Sequence, residues 1–213
     1  MKLSLIAGII TADIVESTEI RLDIREKLFT QFNDGLKQIK EQFNIEYEWY
    51  RGDALQVKTI NSGLSIRIAL LIKLWIKSFE KETKKSYDVR LSVGIGKIEL
   101  DKKELSLSDG EAFRISGRNL DSLKSTKQSI IIDSNDSNSN SLKAESILLN
   151  AIIDNVTPIQ SKVLFFKLKG FKEEEIAKKL GLAQSTINQH SNSGNWNAIS
   201  KYLDYFEKLY ANA

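Results

Sequence analysis

The chain of 213 residues contains no cysteine, one histidine and one proline. Without cysteine there is no disulfide framework, no thiolate nucleophile and no cysteine-bound zinc. The single histidine, His190, excludes a metal site built from several imidazole rings. A metal in this protein would therefore need oxygen ligands.

Long apolar runs and a strong charge of one sign are also missing. No segment approaches the ~18 consecutive apolar residues of a membrane span, and the apolar N-terminus reaches Asp13 without a small-residue cleavage site. The formal net charge is +3, so charge alone does not mark a nucleic-acid-binding protein. We expect a cytoplasmic protein with no membrane partner and with a buried strand near its N-terminus.

A polar segment divides the chain. Residues 134–141 read SNDSNSNS, which has nothing to bury and is typical of a linker. We therefore predict one domain over residues 1–133, a linker over 134–141 and a second domain over 142–213. Hydrophobic residues make up 41% of the chain, which is ordinary for a globular protein that buries a core.

Apolar periodicity in the first domain alternates between strand and helix. Short apolar runs predict strands at 3–11, 45–50, 54–60, 89–100 and 129–132, and spacings of three and four predict helices at 22–43, 62–81 and 112–123. The order β-α-β-β-α-β-α-β is typical of a single sheet covered by helices. We therefore predict the α+β class.

The second domain has only helical patterns. Residues 157–160 form a predicted capping box with Pro158 at the first helical position. Residues 175–188 have the spacing of a helix-turn-helix, with Gly181 in the turn. In such a motif the second helix would contact base edges, and the candidate residues there are Gln184, Ser185, Thr186, Asn188 and Gln189. Two lysines before the turn, Lys178 and Lys179, would contact phosphates.

A protein-interaction module of three helices is the alternative for this domain. Residues 183–200 contain neither lysine nor arginine, whereas cations supply much of the affinity of proteins for DNA. If the domain binds double-stranded DNA, we expect weak binding by one chain and a homodimer that doubles the contacts.

Two aspartates follow predicted strands. Asp13 ends the first strand, and Asp53 lies at the tip of the predicted hairpin. If the first strand lies beside the hairpin, the two carboxylates share one edge and suit Mg²⁺ or Mn²⁺, which prefer oxygen ligands. The backbone N–H groups of residues 14–18, with the hydroxyls of Ser17 and Thr18, suit phosphates at the start of the first helix.

The same residues also have an ordinary structural interpretation. Asp53 after Gly52 would complete a tight turn, and Asp13 would only end a strand. Ser17 or Thr18 would then cap the first helix. The residues by themselves leave both interpretations open.

Four segments over most of residues 1–132 resemble class III nucleotidyl cyclases, in the same order. ADIVEST is similar to the family's Asp-Ile-x-x-x-Ser/Thr motif, RGDALQV to its Gly-Asp hairpin, VRLSVGIGKI to its Arg-x-Gly-Ile strand, and DGEAFRISGRNL to its Asn-x-x-x-Arg helix. With DGEAF, and with GNWNAI after the helix-turn-helix, the chain most resembles the SatD family. The resemblance implies a ferredoxin-like, class III cyclase-type sheet domain followed by a small all-α helix-turn-helix domain.

The resemblance also assigns roles to individual residues. It implies that Asp13 and Asp53 bind two divalent metals with help from the Ile14 carbonyl. A 3′-hydroxyl, activated by one metal, would then attack the α-phosphate of a nucleoside triphosphate. Arg118 from the partner in a head-to-tail homodimer would stabilise charge on the phosphates, together with Arg114. The remaining nucleotide contacts would come from Val15, Glu16, Ser17, Thr18 and Trp49.

Three positions depart from the family pattern. Arg114 stands where the family has asparagine, and Ser92 where it has glycine. The aromatic residues Trp49 and Tyr50 replace the lysine that selects adenine in the family. Arg114 and Arg118 share a helical face, which suits a bound polyphosphate, with ion pairs to surface carboxylates as the alternative. These departures favour nucleotide binding over turnover.

Three functions are consistent with these patterns. The first is a DNA-binding regulator whose cyclase-like domain binds a metal–nucleotide complex. The alternative is an active, metal-dependent nucleotidyl cyclase that forms a cyclic nucleotide from a nucleoside triphosphate. The third is a protein-interaction adaptor that has neither activity.

Overall fold

A computed structural model describes residues 5–50, 52–83 and 85–210, and its first part is a six-stranded sheet. The strands are β1 Ile6–Ile14, β2 Glu46–Tyr50, β3 Ala54–Thr59, β4 Val89–Leu100, β5 Asp109–Gly110 and β6 Ile130–Ser134. The helices are α1 Leu22–Phe43, α2 Ser65–Lys77, α3 Glu111–Leu123, α4 Ser139–Ile153, α5 Pro158–Leu168, α6 Glu173–Leu180, α7 Gln184–Ser193 and α8 Trp196–Tyr210. Among the described residues, none of the helices is both long and apolar enough to cross a membrane.

The strand order identifies the sheet as ferredoxin-like. β2, β3, β1 and β4 follow one another across the sheet, and each neighbouring pair is antiparallel. Because α1 connects β1 to β2 and α2 connects β3 to β4, two split β-α-β units interleave. β6 adds a parallel strand to one end of β4, and β5 pairs with the other end. The predicted α+β class with a ferredoxin-like sheet is therefore confirmed.

Helices cover both faces of the sheet. Side chains alternate between the faces of a strand, and in β1 Ile10 and Ile14 join the core formed with α1 and α2. Ile9, on the other face, packs with Phe113 of α3. The predicted first strand at 3–11 is displaced in the structure to Ile6–Ile14, and residues 3 and 4 of the prediction lie outside the described part of the chain.

The second predicted helix is shorter than its apolar pattern suggested. A short 3₁₀ turn at Ser62–Leu64 precedes it, and α2 ends at Lys77 instead of residue 81. The chain then folds back on itself, and Glu80 forms an isolated antiparallel bridge with Ser86. The backbone groups that would have continued the helix bond instead within this turn.

α2 also packs against the helical part of the chain. Arg67 Nε donates to Glu207 Oε1 at 2.6 Å, and the same guanidinium donates to the Leu168 carbonyl at 3.2 Å. Trp75 packs on Phe165 with ring centroids 4.7 Å apart. Apolar residues of α4, α5 and α8 belong to the same buried cluster as those of the sheet. The predicted boundary at 134–141 therefore does not separate two hydrophobic cores.

Half of the polar segment that we predicted as a linker is part of regular elements. Ser134 ends β6, and α4 already begins at Ser139. The Asp133 carboxylate accepts hydrogen bonds from Ser139 Oγ at 2.6 Å and from Asn119 Nδ2 at 3.1 Å. Burial acts to raise the pKa of Asp133, but these hydrogen bonds outweigh it and keep the pKa below its usual value. The linker prediction is wrong because small polar residues here bond to the fold instead of burying apolar surface.

A buried ammonium group joins α2 to the start of β4. Lys73 is fully buried, and its Nζ donates to Asp88 Oδ1 at 2.7 Å and to the Val89 carbonyl at 2.8 Å. Burial lowers the pKa of Lys73, and the Asp88 carboxylate opposes that shift. Asp88 is thus the charged partner that allows a lysine to lie beneath the sheet.

We expect Asp88→Asn to destabilise the fold by about 3–5 kcal/mol at pH 7, because it leaves Lys73 buried without a charged partner. The folded pKa of Lys73 lies below its unfolded value of ~10.4, so the unfolded chain binds more protons between those two values. Stability contributed by this group therefore rises with pH in that window, and the loss should shrink as the pH approaches 10. Urea unfolding at pH 7 and pH 10 measures both effects.

The double variant Lys73→Met, Asp88→Asn is the matched control, because it removes the buried charge together with its partner. We expect it to recover most of the lost stability and to lose the pH dependence. Equal stability of Asp88→Asn and the wild type at pH 7 would contradict the role of this pair.

Candidate functional site

The sheet brings the two predicted metal ligands, Asp13 and Asp53, to the same end of neighbouring strands. Asp13 pairs with Ala54 in the β1–β3 ladder, and Asp53 immediately precedes Ala54. The Ser17 hydroxyl donates a hydrogen bond to Asp53 Oδ2. The predicted adjacency of β1 and the hairpin is therefore found, and Ser17 joins the hairpin turn to the segment after β1.

Asp13 already has a cation as its partner. Arg90 lies opposite Asp13 in the β1–β4 ladder, and its Nε and Nη2 donate to Oδ1 and Oδ2 of Asp13 at 3.0 and 3.1 Å. The Asp13 side chain is 13% exposed and that of Arg90 27%. Lys124, just after α3, is also close enough to interact electrostatically with Asp13. The carboxylate is thus neutralised within the chain.

This arrangement does not fit a divalent metal. Two carboxylates and the Ile14 carbonyl are the kind of oxygen ligands that Mg²⁺ and Mn²⁺ take, but both oxygens of Asp13 face the Arg90 guanidinium. Within the described residues, His, Asp and Glu side chains form no group of three or more that could hold a metal. The predicted Mg²⁺ or Mn²⁺ site at Asp13 and Asp53 therefore requires Arg90 to move.

The predicted phosphate cradle over residues 14–18 differs from its expected geometry. The Val15 N–H donates to the Asp88 carbonyl at 3.0 Å, and the exposed Glu16 lies 3.1 Å from Lys81 Nζ with a left-handed backbone (φ 57°). Ser17 is buried, whereas Thr18 is exposed.

α1 begins only at Leu22, after a separate 3₁₀ turn at Ser17–Glu19. Ile20 and Arg21 lie between the turn and the helix, so neither Ser17 nor Thr18 caps α1. The predicted helix cap is therefore wrong. Residues 14–18 also do not lie at the start of α1, where phosphate binding was predicted.

Trp49 has a packing role in the structure. Its Nε1 donates to Asn33 Oδ1 of α1 at 2.8 Å, and its ring packs on Phe29 and Phe32 with centroids 5.0 and 5.2 Å away. β2 alternation directs the indole toward α1. The predicted contact of Trp49 with a nucleotide base is therefore corrected: the ring belongs to the α1–β2 contact.

The two predicted catalytic arginines, Arg114 and Arg118, have different surroundings. Arg114 is exposed and forms ion pairs with Glu99 and with Asp109, the latter at 3.0 Å. The hydrogen bond to Glu99 raises the pKa of Arg114. Arg118 is also exposed, but its Nε donates to the Arg114 carbonyl at 3.1 Å, and among the described residues it has no carboxylate partner. Arg114 thus follows the ion-pair interpretation, and the role of Arg118 stays a prediction.

α5, α6 and α7 form a compact group with its own apolar cluster. The capping box of Thr157 and Gln160 predicted for α5 is present. Gly181 ends α6 with φ 65°, a left-handed conformation that glycine adopts without strain. Val163, Ile176, Ala177 and Ile187 are buried together between the three helices.

The predicted DNA-contacting residues lie mostly on the surface of this group. Of the predicted residues, Thr186 is half-buried and the others are exposed: Lys178, Lys179, Gln184, Ser185, Asn188 and Gln189. Several already have partners within the chain. Lys178 pairs with Glu174 at 2.9 Å, Lys179 lies 4.8 Å from the centre of the Phe171 ring, and the Asn188 amide donates to Glu173 at 3.3 Å.

Arg90 is the residue at this site that sequence reasoning missed. Its place before the apolar run of β4 predicts a solvated or sheet-edge residue, although it is also the arginine of the segment that resembles the family's Arg-x-Gly-Ile strand. The available signal was its strand alternation: Val89 and Leu91 are buried in the main core, which places Arg90 on the opposite face, shared with Asp13. Its partner, however, depends on the β1–β4 register.

No family model matches the sequence, and no curated protein matches it. A bacterial light-regulated adenylyl cyclase is 15% identical, with 61% of this chain and 76% of that chain covered and a TM-score of 0.49. The guanylate cyclase domain of RhGC from Catenaria anguillulae in complex with GTP is 16% identical, with coverages of 68% and 82% and a TM-score of 0.49. The adenylyl cyclase CyaB from P. aeruginosa is 12% identical, with coverages of 66% and 81% and a TM-score of 0.46. At such identities and TM-scores these likenesses assign no family or activity to the chain, and the SatD resemblance stays a prediction.

We expect Trp49→Phe to lower stability by about 1 kcal/mol and to leave nucleotide affinity unchanged. The ring would still pack on α1, but the hydrogen bond to Asn33 would be lost. Urea unfolding and titration with a fluorescent nucleoside triphosphate measure the two quantities. Asn33→Ala is the matched control, because it removes the same hydrogen bond from α1. Weaker nucleotide binding at unchanged stability would show that the packing role is wrong.

Proposed function

We propose that this protein is a DNA-binding regulator whose ferredoxin-like unit binds a nucleotide at the Asp13–Asp53 end of the sheet. The helix-turn-helix of α6 and α7 would contact double-stranded DNA, and a homodimer would double those contacts. The observation that carries the proposal is the turn at Gly181 between two helices that share a buried cluster while α7 exposes a polar, uncharged face.

The exposed face of α7 supports base contacts. Amide side chains such as Gln184 and Gln189 donate and accept hydrogen bonds, as base edges in the major groove require. Phosphate contacts must come from outside α7, and Lys178 and Lys179 lie on the preceding helix. Because α6 begins with three glutamates, we propose that binding is weak for one chain and depends on pairing of two chains.

The end of the sheet near Asp13 supports a nucleotide site. The residues that resemble cyclase motifs meet there on adjacent strands. Lys124 lies close enough to interact with Asp13, and the exposed guanidinium of Arg118 would come from the partner chain, as the resemblance implies. These cations suit the phosphates of a nucleotide, so the triphosphate class proposed from the resemblance remains the expected ligand.

We expect random duplex DNA to bind weakly at low salt and to dissociate as salt is added. Lys178→Gln should weaken binding and reduce the slope of log K against log salt by about one, as the loss of one phosphate contact does. Glu174→Gln should strengthen binding, because it frees Lys178 and removes a negative charge. Fluorescence anisotropy over a range of salt concentrations measures both effects.

Lys37→Gln is the control for this experiment. Lys37 lies on α1 and forms a comparable surface pair with Asp34 at 3.5 Å, so its removal changes the net charge equally without touching α6 or α7. A salt slope that falls equally in Lys37→Gln and Lys178→Gln would place the DNA elsewhere, and no binding at any salt concentration would favour the adaptor.

An active nucleotidyl cyclase is the second candidate, and the shared end of Asp13 and Asp53 favours it. The test is incubation with Mn²⁺ and each of the four nucleoside triphosphates, with products identified by mass spectrometry beside Asp53→Ala. The internal pairing of Asp13 with Arg90 leads us to expect intact triphosphate in all four. A cyclic nucleotide that disappears in Asp53→Ala would instead make the protein an enzyme and name its substrate.

A further inference from the structure

The Asp13–Arg90 pair has the geometry of a complete binding arrangement for a carboxylate. Two N–H groups of one guanidinium meet the two oxygens of one carboxylate at 3.0 and 3.1 Å. Such a two-fold contact is stronger and more directional than a single ion pair. Both oxygens of Asp13, which a metal would contact, are therefore already hydrogen-bonded.

The backbone holds both partners in place. Asp13 and Arg90 are directly opposite each other in an antiparallel ladder, and Lys73 fixes the first residues of β4 through Asp88 and the Val89 carbonyl. The Asp88 carbonyl accepts the N–H of Val15, so the ends of β1 and β4 are joined. The backbones of Asp13 and Arg90 are therefore held opposite each other, and the pair is only partly open to water.

We propose that Arg90 is the resident cation of Asp13 and that residue 90 decides whether this end of the sheet takes up a divalent metal. A metal would need to reach an Asp13 oxygen at ~2.1 Å, and the positive charge of the guanidinium bound to that oxygen would repel it. Lys124 adds positive potential at the same carboxylate. The inference rests on the proposed function, which puts the ligand site at the Asp13–Asp53 end of the sheet. Its test, however, needs no nucleotide.

The test compares Mn²⁺ binding by the wild type and by Arg90→Gln. Electron paramagnetic resonance measures the free Mn²⁺, and thermal unfolding measures the stability of each protein. We expect Arg90→Gln to bind Mn²⁺ at least tenfold more tightly. In the presence of a chelator the variant should melt below the wild type, since Asp13 is left without its partner. Mn²⁺ should then raise the melting temperature of the variant but not that of the wild type, because a ligand stabilises the state that binds it.

Two further variants decide whether the new site is the one proposed. Adding Asp13→Asn to Arg90→Gln should abolish the gain in Mn²⁺ binding. Arg21→Gln is the matched control: Arg21 also makes two hydrogen bonds to one aspartate, Asp23, at 3.2 and 2.8 Å, but on an open surface. Glu82 also lies 3.9 Å from Arg21, but the side chains of Arg21 and Asp23 are 68% and 64% exposed. The freed carboxylate therefore stays in water, and Mn²⁺ binding should stay at the wild-type level.

The inference is overturned if the wild type binds Mn²⁺ as tightly as Arg90→Gln, or if the gain survives Asp13→Asn. If Arg90→Gln does not fold, the wild type and Asp13→Asn still decide: Mn²⁺ binding that the wild type has and Asp13→Asn lacks overturns the inference, and equally weak binding by both supports it. Titration of the wild type with a fluorescent nucleoside triphosphate in chelator separates the two proposals. If the wild type binds no nucleotide in this titration, the proposed nucleotide-binding function is wrong. The conclusion about Arg90 and Mn²⁺ would not change.

Discussion

The contact of Lys73 with Asp88 and Val89 fixes the end of the sheet on which the candidate site depends. An ammonium group buried without partners costs several kcal/mol, so Lys73 can stay charged and buried between α2 and β4 only while Asp88 and the Val89 carbonyl contact it. Asp88 contributes twice, because its carboxylate pairs with Lys73 and its carbonyl accepts the Val15 N–H. The register that sets Asp13 opposite Arg90 is held by this contact as well as by the ladder.

Charge balance within the chain is a feature of both candidate sites. Asp13 is neutralised by Arg90, and Lys178 is paired with Glu174. A phosphate or a metal ion that binds at either place must compete with an existing partner, so the net gain from each new contact is small. That property suits a protein that responds to a ligand at moderate affinity better than one that must hold metal ions throughout a catalytic cycle.

α2 contacts both the sheet and the helical part of the molecule. Lys73 bonds to the start of β4, Trp75 packs on Phe165 of α5, and Arg67 pairs with Glu207 of α8. Gly35 of α1 leaves room for the Trp75 indole, because a Cβ at that position would lie 2.2 Å from Nε1. The sheet and the helical part therefore share one core, and a nucleotide that favoured a different position of α2 would act on both.

The sequence by itself determined the elements whose signals are local. Alternating and helical periodicity predicted the order of strands and helices around the sheet, and the capping box before α5 and the glycine at Gly181 predicted where helices begin and end. Such signals are readable because each depends on residues within one turn or one strand. The tertiary structure decided which side chains meet: Asp13 with Arg90, Trp49 with Asn33, and the polar residues after β6 with Asp133. Those partners are distant in the sequence, and only the register of the sheet and the packing of helices on it bring them within hydrogen-bonding distance.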